Sequence, residues 1–157
     1  MKYCKYETEL IDLYIFEEDG AIVMVQMEED SVPDTAVLEE TELIREAYRQ
    51  LSEYLKGERK EFDLPINPSG TKFQKRVWAE LCRIPYGETR CYKEMAEAIG
   101  SPKACRAIGA ANKVNPISII IPCHRVIAKN GALLGYGGMG PLVRVKKELI
   151  ELEQKYK

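Results

Sequence analysis

The chain has 157 residues, enough for one domain or two small ones with a substantial buried core. Its first residues contain no apolar run of signal-peptide length, and no stretch approaches the roughly 18 apolar residues typical of a membrane span. The five cysteines are scattered without a Cys-x-x-Cys pair, and there is one histidine. We therefore expect a soluble, cytoplasmic protein with reduced thiols, and neither a disulfide framework nor a metal or other cofactor.

The net charge of −2 conceals two halves of opposite sign. Residues 1–68 hold 7 Lys and Arg against 18 Asp and Glu, a net charge of −11, whereas residues 69–157 hold 16 against 7, a net charge of +9. A basic half of this size favours a polyanionic partner, most simply nucleic acid, with solvated surface charge as the alternative.

The acidic half predicts a small sheet followed by a helix. The runs TELIDLYIF and AIVMVQM flank EEDG, a pattern typical of a β-hairpin closed by Asp19-Gly20. A helix is predicted over TELIREAYRQLSEYLKGE, with Gly57 ending it. Its predicted apolar face consists of Leu43, Ala47, Leu51 and Leu55. Residues 1–66 are thus predicted to form a small N-terminal α/β domain.

The stretch FDLPINPSG, residues 62–70, is predicted to connect this domain to a mostly helical second one over residues 67–157. The Thr71-x-x-Gln74 spacing is typical of a capping box at the start of a helix, which Pro85 and Gly87 would end. The predicted apolar stripe of that helix is Phe73, Val77, Leu81 and Ile84. The overall fold class is therefore α+β.

Two short helices separated by a tight turn are predicted next. The first runs from about Tyr92 to Ile99 and ends at Gly100, and Ser101 would cap the second, PKACRAIGAANKV, with Pro102 at its first position. One face of the second helix would carry Lys103, Arg106, Ala110 and Lys113, and the core face Ala104, Ile108 and Ala111. Small residues beside basic ones favour a DNA-binding helix-turn-helix, although alanine-rich helices also simply pack together.

The only histidine, His124, follows Cys123 directly. A cysteine is a nucleophile as its thiolate, and a neighbouring histidine is a usual proton acceptor. In a strand the two side chains would point to opposite sides, so a productive pair requires a turn or helical start after Pro122. The alternative for the dipeptide alone is an inert buried thiol beside an exposed imidazole.

The residues around this dipeptide resemble the O6-alkylguanine-DNA alkyltransferase family, also called methylated-DNA-protein-cysteine methyltransferases. The hallmark is IPCHRV, flanked by TKFQKRVWAELCRIPYGETRCYKEMAEAIG, SPKACRAIGAANKVNP and GALLGYGG in the family's order. The close match covers about residues 68–138, and the first 60 residues resemble the family only in predicted layout. Three features depart from the pattern. Cys91 stands where serine is usual, which would weaken a helix cap; Gly137 replaces a common serine, although its expected contact is through the backbone; and MGPLVRVKK is slightly longer than the usual loop.

The resemblance implies DNA repair by irreversible, single-turnover transfer of an alkyl group from guanine O6 to a cysteine, with O4-alkylthymine as a second candidate substrate. It implies that Cys123 is the nucleophile and acceptor, that His124 removes its proton through a water, and that Glu153 orients the imidazole. Asn115 would brace the active-site turn. Tyr92 would lie against the target nucleotide's phosphate and hydrogen-bond the departing guanine.

The resemblance also implies a monomer that binds the minor groove of double-stranded DNA and flips the damaged base out, with Arg106 filling the stack. The guanine pocket would be lined by Tyr136, Gly137 and the backbone of Val126. Two other functions remain: a thiol hydrolase, which would need an oxyanion site and turnover, and a non-catalytic lesion binder of the alkyltransferase-like type, whose members lack the acceptor cysteine.

Overall fold

The computed structural model describes residues 1–131 and 141–157, with the side chain of Pro141 outside the description. The chain forms two compact units. One comprises residues 1–69 and 116–118, and the other comprises residues 70–115 and 119–157. A sheet with one long helix in the first and helices in the second confirm the predicted α+β class.

The first unit contains a four-stranded sheet in the order β3-β2-β1-β4. Its strands are β1 (Lys2–Tyr6), β2 (Leu13–Glu18), β3 (Ala21–Gln26) and β4 (Val37–Leu38), and only the β1–β4 pair is parallel. The predicted hairpin is confirmed: Asp19 and Gly20 both have positive φ, 51° and 79°, as a type I′ turn requires.

Strand β1 was not predicted, and the first predicted strand began too early. Residues 7–12 leave the sheet in a turn in which the Ile11 N–H donates to Thr8 Oγ1 at 3.0 Å. A threonine hydroxyl that bonds the backbone three residues on competes with the strand ladder, and this explains the late start of β2.

Helix α1 (Glu42–Leu55) begins where Thr41 Oγ1 accepts the Ile44 N–H at 3.1 Å. Its buried hydrophobic residues are Ile44, Ala47, Leu51 and Tyr54. The predicted face is therefore wrong at Leu43 and Leu55, which are half-buried. Ile44 and Tyr54 also lie at helical spacing from Ala47 and Leu51, and the helix buries these two residues instead. The predicted end at Gly57 is confirmed by its φ of 78° and by its N–H bond to the Tyr54 carbonyl.

The second unit opens with α2 (Lys72–Leu81), and its predicted capping box is present. The Gln74 N–H donates to Thr71 Oγ1 at 3.1 Å, and the Thr71 N–H donates to Gln74 Oε1 at 2.9 Å. The buried residues of this segment are Val77, Trp78, Leu81 and Ile84. Phe73, predicted in the stripe, is half-buried, because Trp78 rather than Phe73 occupies the core.

Helices α3 (Tyr92–Ala98) and α4 (Cys105–Lys113) form the predicted helix-turn-helix. The prediction for Ser101 is wrong: the Ala104 N–H donates to the Ser101 carbonyl at 2.9 Å, closing a turn over Pro102-Lys103, so α4 begins at Cys105. Lys103 consequently precedes the helix. Ala104, predicted on the core face, also precedes the helix and is half-buried. The remaining predictions for the faces are confirmed: Arg106, Ala110 and Lys113 are exposed, and Ile108 and Ala111 are buried.

Three further elements complete the second unit. Strands β5 (Arg90–Cys91) and β6 (Val126–Ile127) pair in parallel, and α5 (Pro141–Tyr156) carries the buried residues Val145, Lys146, Leu149 and Glu153. Helix α4 is tied to α2 by Trp78, whose indole N–H donates to the Ala111 carbonyl at 2.9 Å. None of the helices in the described ranges is long and apolar enough to cross a membrane.

Candidate active site

Cys123 begins a single 3-10 turn, Cys123–Arg125, immediately after Pro122. The backbone of Pro122, with φ −82° and ψ 64°, has the geometry of an inverse γ-turn, and the Cys123 N–H donates to the Ile121 carbonyl at 2.8 Å. The Arg125 N–H closes the next turn on the Pro122 carbonyl at 3.0 Å. The turn that the Cys-His pair requires is therefore present, and Cys123 is only 3% exposed within it.

Two buried asparagines hold this turn from the side of α4. Asn115 Nδ2 donates to the Ile121 carbonyl at 2.8 Å, and Asn112 Nδ2 donates to the Cys123 carbonyl at 3.2 Å. Ile119, just before the turn, has a φ of 72°, which is a strained conformation for a β-branched residue. The backbone around Cys123 is thus fixed by side-chain hydrogen bonds on both sides of Pro122.

His124 is fully buried, and its Nε2 lies 2.7 Å from Glu153 Oε2. Burial lowers the pKa of His124, and the hydrogen bond and negative charge of Glu153 oppose this without reversing it. The imidazole is therefore neutral at neutral pH. An ionised carboxylate only accepts hydrogen bonds, so Nε2 carries the proton and Nδ1 carries the lone pair.

The Glu153 carboxylate, 2% exposed, accepts hydrogen bonds from separate parts of the chain. Besides His124, Arg125 binds it in a fork, with Nε 2.9 Å from Oε1 and Nη2 3.0 Å from Oε2. The Gly87 N–H donates to Oε1 at 3.0 Å. Gly87 has a φ of 81°, and a Cβ there would lie 2.7 Å from Lys157 Cβ, so this contact requires glycine. Such a set of donors stabilises an ionised buried carboxylate.

Two further ionisable groups share the surroundings of Cys123. Lys146 is fully buried on α5, and burial lowers its pKa to about 8, with attraction to the Cys123 charge opposing the shift. Tyr92, at the start of α3, has a raised pKa because of burial and, secondly, the Cys123 charge. Its hydroxyl is therefore protonated at neutral pH and available as a hydrogen-bond donor.

The remaining predicted site residues lie outside this hydrogen-bonded group or outside the described ranges. Arg106 is exposed on the outer face of α4. Val126 is buried, and its backbone pairs with Arg90 across β5 and β6. Tyr136 and Gly137 lie outside the described residues. No cluster of three or more potential metal ligands of the His, Cys, Asp or Glu type occurs among residues 1–131 and 141–157.

Helix α3 begins at a capping box formed by Cys91, where the resemblance led us to expect serine, and Glu94. The Cys91 N–H donates to Glu94 Oε1 at 3.0 Å, and this bond is the first cause of a lowered pKa of Glu94. The carboxylate half of the cap is thus present despite the cysteine.

Both units match known sequence families. Residues 72–155 match the profile of the DNA binding domain of 6-O-methylguanine DNA methyltransferase, and residues 1–68 match the profile of its ribonuclease-like domain. The chain belongs to the 6-O-methylguanine DNA methyltransferase family.

Relatives of this family match nearly the whole chain. The constitutive methylated-DNA–protein-cysteine methyltransferase of Bacillus subtilis is 45% identical over 97% of this chain and 94% of its own. The Mycobacterium leprae methylated-DNA–protein-cysteine methyltransferase is 43% identical over 98% and 93%. A crystal structure of Mycobacterium tuberculosis OGT in complex with DNA superposes with a TM-score of 0.90 at 39% identity, covering 99% of this chain and 94% of that one.

Three residues of the site were missed by the sequence analysis: Arg125, Lys146 and Asn112. Arg125 lies within the family hallmark, but its partner Glu153 is 28 residues away. Lys146 is seven residues, or two helical turns, before Glu153, and residues so spaced lie on one helix face. Asn112 is four residues after the buried Ile108, so a polar residue on the core face of α4 was the available signal.

Proposed function

We propose that this protein repairs DNA by transferring an alkyl group from O6-alkylguanine to Cys123, directly, stoichiometrically and irreversibly. The observation that carries the proposal is the buried Cys123 beginning a turn whose next residue, His124, lies 2.7 Å from the buried carboxylate of Glu153. Membership of the methyltransferase family supports the same reaction.

In this reaction His124 is the base and Cys123 the nucleophile. Nδ1 of the neutral imidazole takes the thiol proton through a water, while Nε2–H stays hydrogen-bonded to Glu153 and the carboxylate stabilises the imidazolium. The thiolate sulfur forms a bond to the alkyl carbon as the bond from that carbon to guanine O6 breaks. The bonding electron pair stays with guanine, which takes up one proton while the imidazolium releases the one it took from the thiol. The neutral guanine remains in the DNA.

Tyr92 supplies a donor for this leaving group. Its raised pKa keeps the hydroxyl protonated, and negative charge develops on guanine as the carbon–oxygen bond breaks. Asn115 acts through the backbone of the turn, by its bond to the Ile121 carbonyl. The Val126 backbone, Tyr136 and Gly137 line the base pocket in this proposal.

The substrate is double-stranded DNA, approached by a monomer from the minor groove with the exposed Arg106 of α4 filling the stack after base flipping. The protein works in the cytoplasm without a cofactor, with residues 1–66 as its N-terminal domain and residues 67–157 as its alkyltransferase domain. A thioether product has no route back to a free thiol in this site, which makes the protein a single-turnover enzyme.

The test is incubation with excess duplex DNA containing O6-methylguanine, followed by intact-protein and peptide mass spectrometry. We expect one methyl group per protein, on Cys123, and no second turnover. Cys123→Ser should abolish transfer, and Cys91→Ser is the matched control that should retain it. Repeated turnover would indicate a hydrolase, and DNA binding without methyl transfer would indicate a lesion binder.

A further inference from the structure

Asn112 has a buried hydrogen-bond acceptor that none of the described residues uses. Its side chain is 3% exposed on the core face of α4, and Nδ2 donates to the Cys123 carbonyl at 3.2 Å. Within the described part of the chain, Oδ1 has no hydrogen-bond partner. A buried amide oxygen without a donor costs free energy, and such a group in a folded protein points to a missing partner.

The orientation of this amide follows from its surroundings. A backbone carbonyl only accepts hydrogen bonds, so the NH2 group of Asn112 must face Cys123, and the oxygen must face elsewhere. The amide also interacts with the Tyr92 hydroxyl and lowers its pKa against the larger effect of burial. Gly109, on the same helix, is close as well, since a Cβ there would lie 3.9 Å from the Tyr92 ring. Asn112 therefore lies between the thiol turn and the tyrosine proposed to contact the departing base.

The base that enters this site carries one kind of N–H donor. Alkylation at O6 leaves guanine N1 without a hydrogen, so the exocyclic 2-amino group is its only N–H donor. Alkylation at O4 likewise removes the hydrogen from thymine N3, and O4-alkylthymine then has no N–H donor at all. An acceptor built into the site therefore distinguishes the two lesions.

We propose that Asn112 Oδ1 accepts a hydrogen bond from the 2-amino group of the flipped O6-alkylguanine, which makes Asn112 a specificity-determining residue for that purine. This inference rests on the proposed function, because it requires the alkylated base to lie beside Cys123. The single amide then has two roles: its NH2 group donates a hydrogen bond to the Cys123 carbonyl, and its oxygen accepts one from the base.

The experiment compares single-turnover rates of methyl transfer from two duplexes, one with O6-methylguanine and one with O6-methylhypoxanthine, which lacks the 2-amino group. For the wild-type protein and for Asn112→Leu, the rate with O6-methylguanine is divided by the rate with O6-methylhypoxanthine. We expect the ratio to fall about tenfold in the variant, the effect of one hydrogen bond to a buried acceptor. The loss of the hydrogen bond to the Cys123 carbonyl slows the reaction of both duplexes alike. Any difference between the duplexes in the cost of base flipping is the same for both proteins. Neither effect therefore contributes to the difference in this ratio between the wild type and the variant.

Gln50→Leu is the matched control, because Gln50 is a buried amide whose two ends are both bonded to the Asp63 backbone in the other unit. Its substitution should lower stability and leave the ratio unchanged. Asn112→Ala serves if the leucine variant does not fold. A ratio that is the same in the wild type and the Asn112 variant would overturn the inference while methyl transfer still supported the proposed function. No methyl on wild-type Cys123 from O6-methylguanine would overturn both.

Discussion

At the residue scale, the contact that most affects the candidate site is the fork between Arg125 and Glu153. The guanidinium neutralises a carboxylate that is 2% exposed and also donates to the Ile84 carbonyl at 2.7 Å. A buried carboxylate without its counter-charge is costly, and it regains stability by taking up a proton. A protonated Glu153 would no longer stabilise a charged His124.

Replacing Arg125 should therefore impair both folding and chemistry. We expect Arg125→Met to lower the free energy of unfolding by about 3–5 kcal/mol and to slow methyl transfer, since breaking a buried ion pair strands its partner. Arg125→Lys keeps the charge but loses the fork and should give smaller losses of both. Urea unfolding and single-turnover rates measure the two effects, and a methionine variant with wild-type stability would refute the role given to the fork.

The burial of Lys146 predicts that the free energy of unfolding increases with pH over the range in which this lysine titrates. Its pKa is about 8 in the folded protein and 10.5 unperturbed, so between these pH values the unfolded chain binds more protons, and stability rises with pH. Lys146→Met removes this contribution. We expect the free energy of unfolding of the wild type, relative to the variant, to increase by about 3 kcal/mol from pH 8 to pH 10.5 in urea titrations. Parallel pH curves for the two proteins would contradict a lowered lysine pKa.

At the scale of elements, the structure agrees with the sequence where short-range chemistry decides the backbone. The Asp19-Gly20 turn and the Thr71–Gln74 capping box each involve residues within one turn, and both are present. The start of α4 was misplaced because Ser101 closes a turn with its carbonyl instead of capping with its hydroxyl. Local sequence rules allow Ser101 to do either, and packing of the flanking helices selects one.

The two residues of helix α4 to which we assign roles lie on different faces: Asn112 is buried and Arg106 is exposed. A side chain that fills the stack of a flipped base matters only when there is a duplex to open. We expect Arg106→Ala to slow repair of O6-methylguanine in duplex DNA at least tenfold, an effect within the few kcal/mol of base extrusion, and to leave the reaction with free O6-benzylguanine nearly unchanged. Lys113→Ala, on the same face, is the control and should weaken DNA binding without this selectivity. Equal slowing of both reactions by Arg106→Ala would exclude a base-flipping role.

At the scale of the whole molecule, the site depends on residues that are far apart in sequence. Glu153 bonds His124 across 29 residues and Gly87 across 66. Periodicity and capping patterns do not reach over such distances, so the sequence indicated Glu153 only through the family resemblance, whereas Cys123 and His124 are adjacent and indicated a thiol site by themselves. Helical spacing places Asn112 and Lys146 on buried faces, but the lack of a partner for Asn112 Oδ1 within the described ranges is a property of packing.

The same packing predicts that the reacted protein is less stable than the free one. Cys123 is 3% exposed, so an added alkyl group must be fitted against the atoms that bury the sulfur. Inserting carbon into a packed site typically costs about 1–3 kcal/mol. The thioether also cannot ionise, so the product loses the attraction that a Cys123 thiolate exerts on Lys146.

Calorimetry on the protein before and after stoichiometric reaction measures this loss of stability as a change in melting temperature. We expect the methylated protein to melt lower by roughly 2–4 °C for each kcal/mol, and the benzylated protein to melt lower still, because its adduct displaces more of the surrounding side chains. Cys123→Ser incubated with the same DNA is the control for bound DNA and should show no shift from alkylation. A melting temperature unchanged or raised by both adducts would mean that the space around the thiol accommodates the alkyl group without repacking.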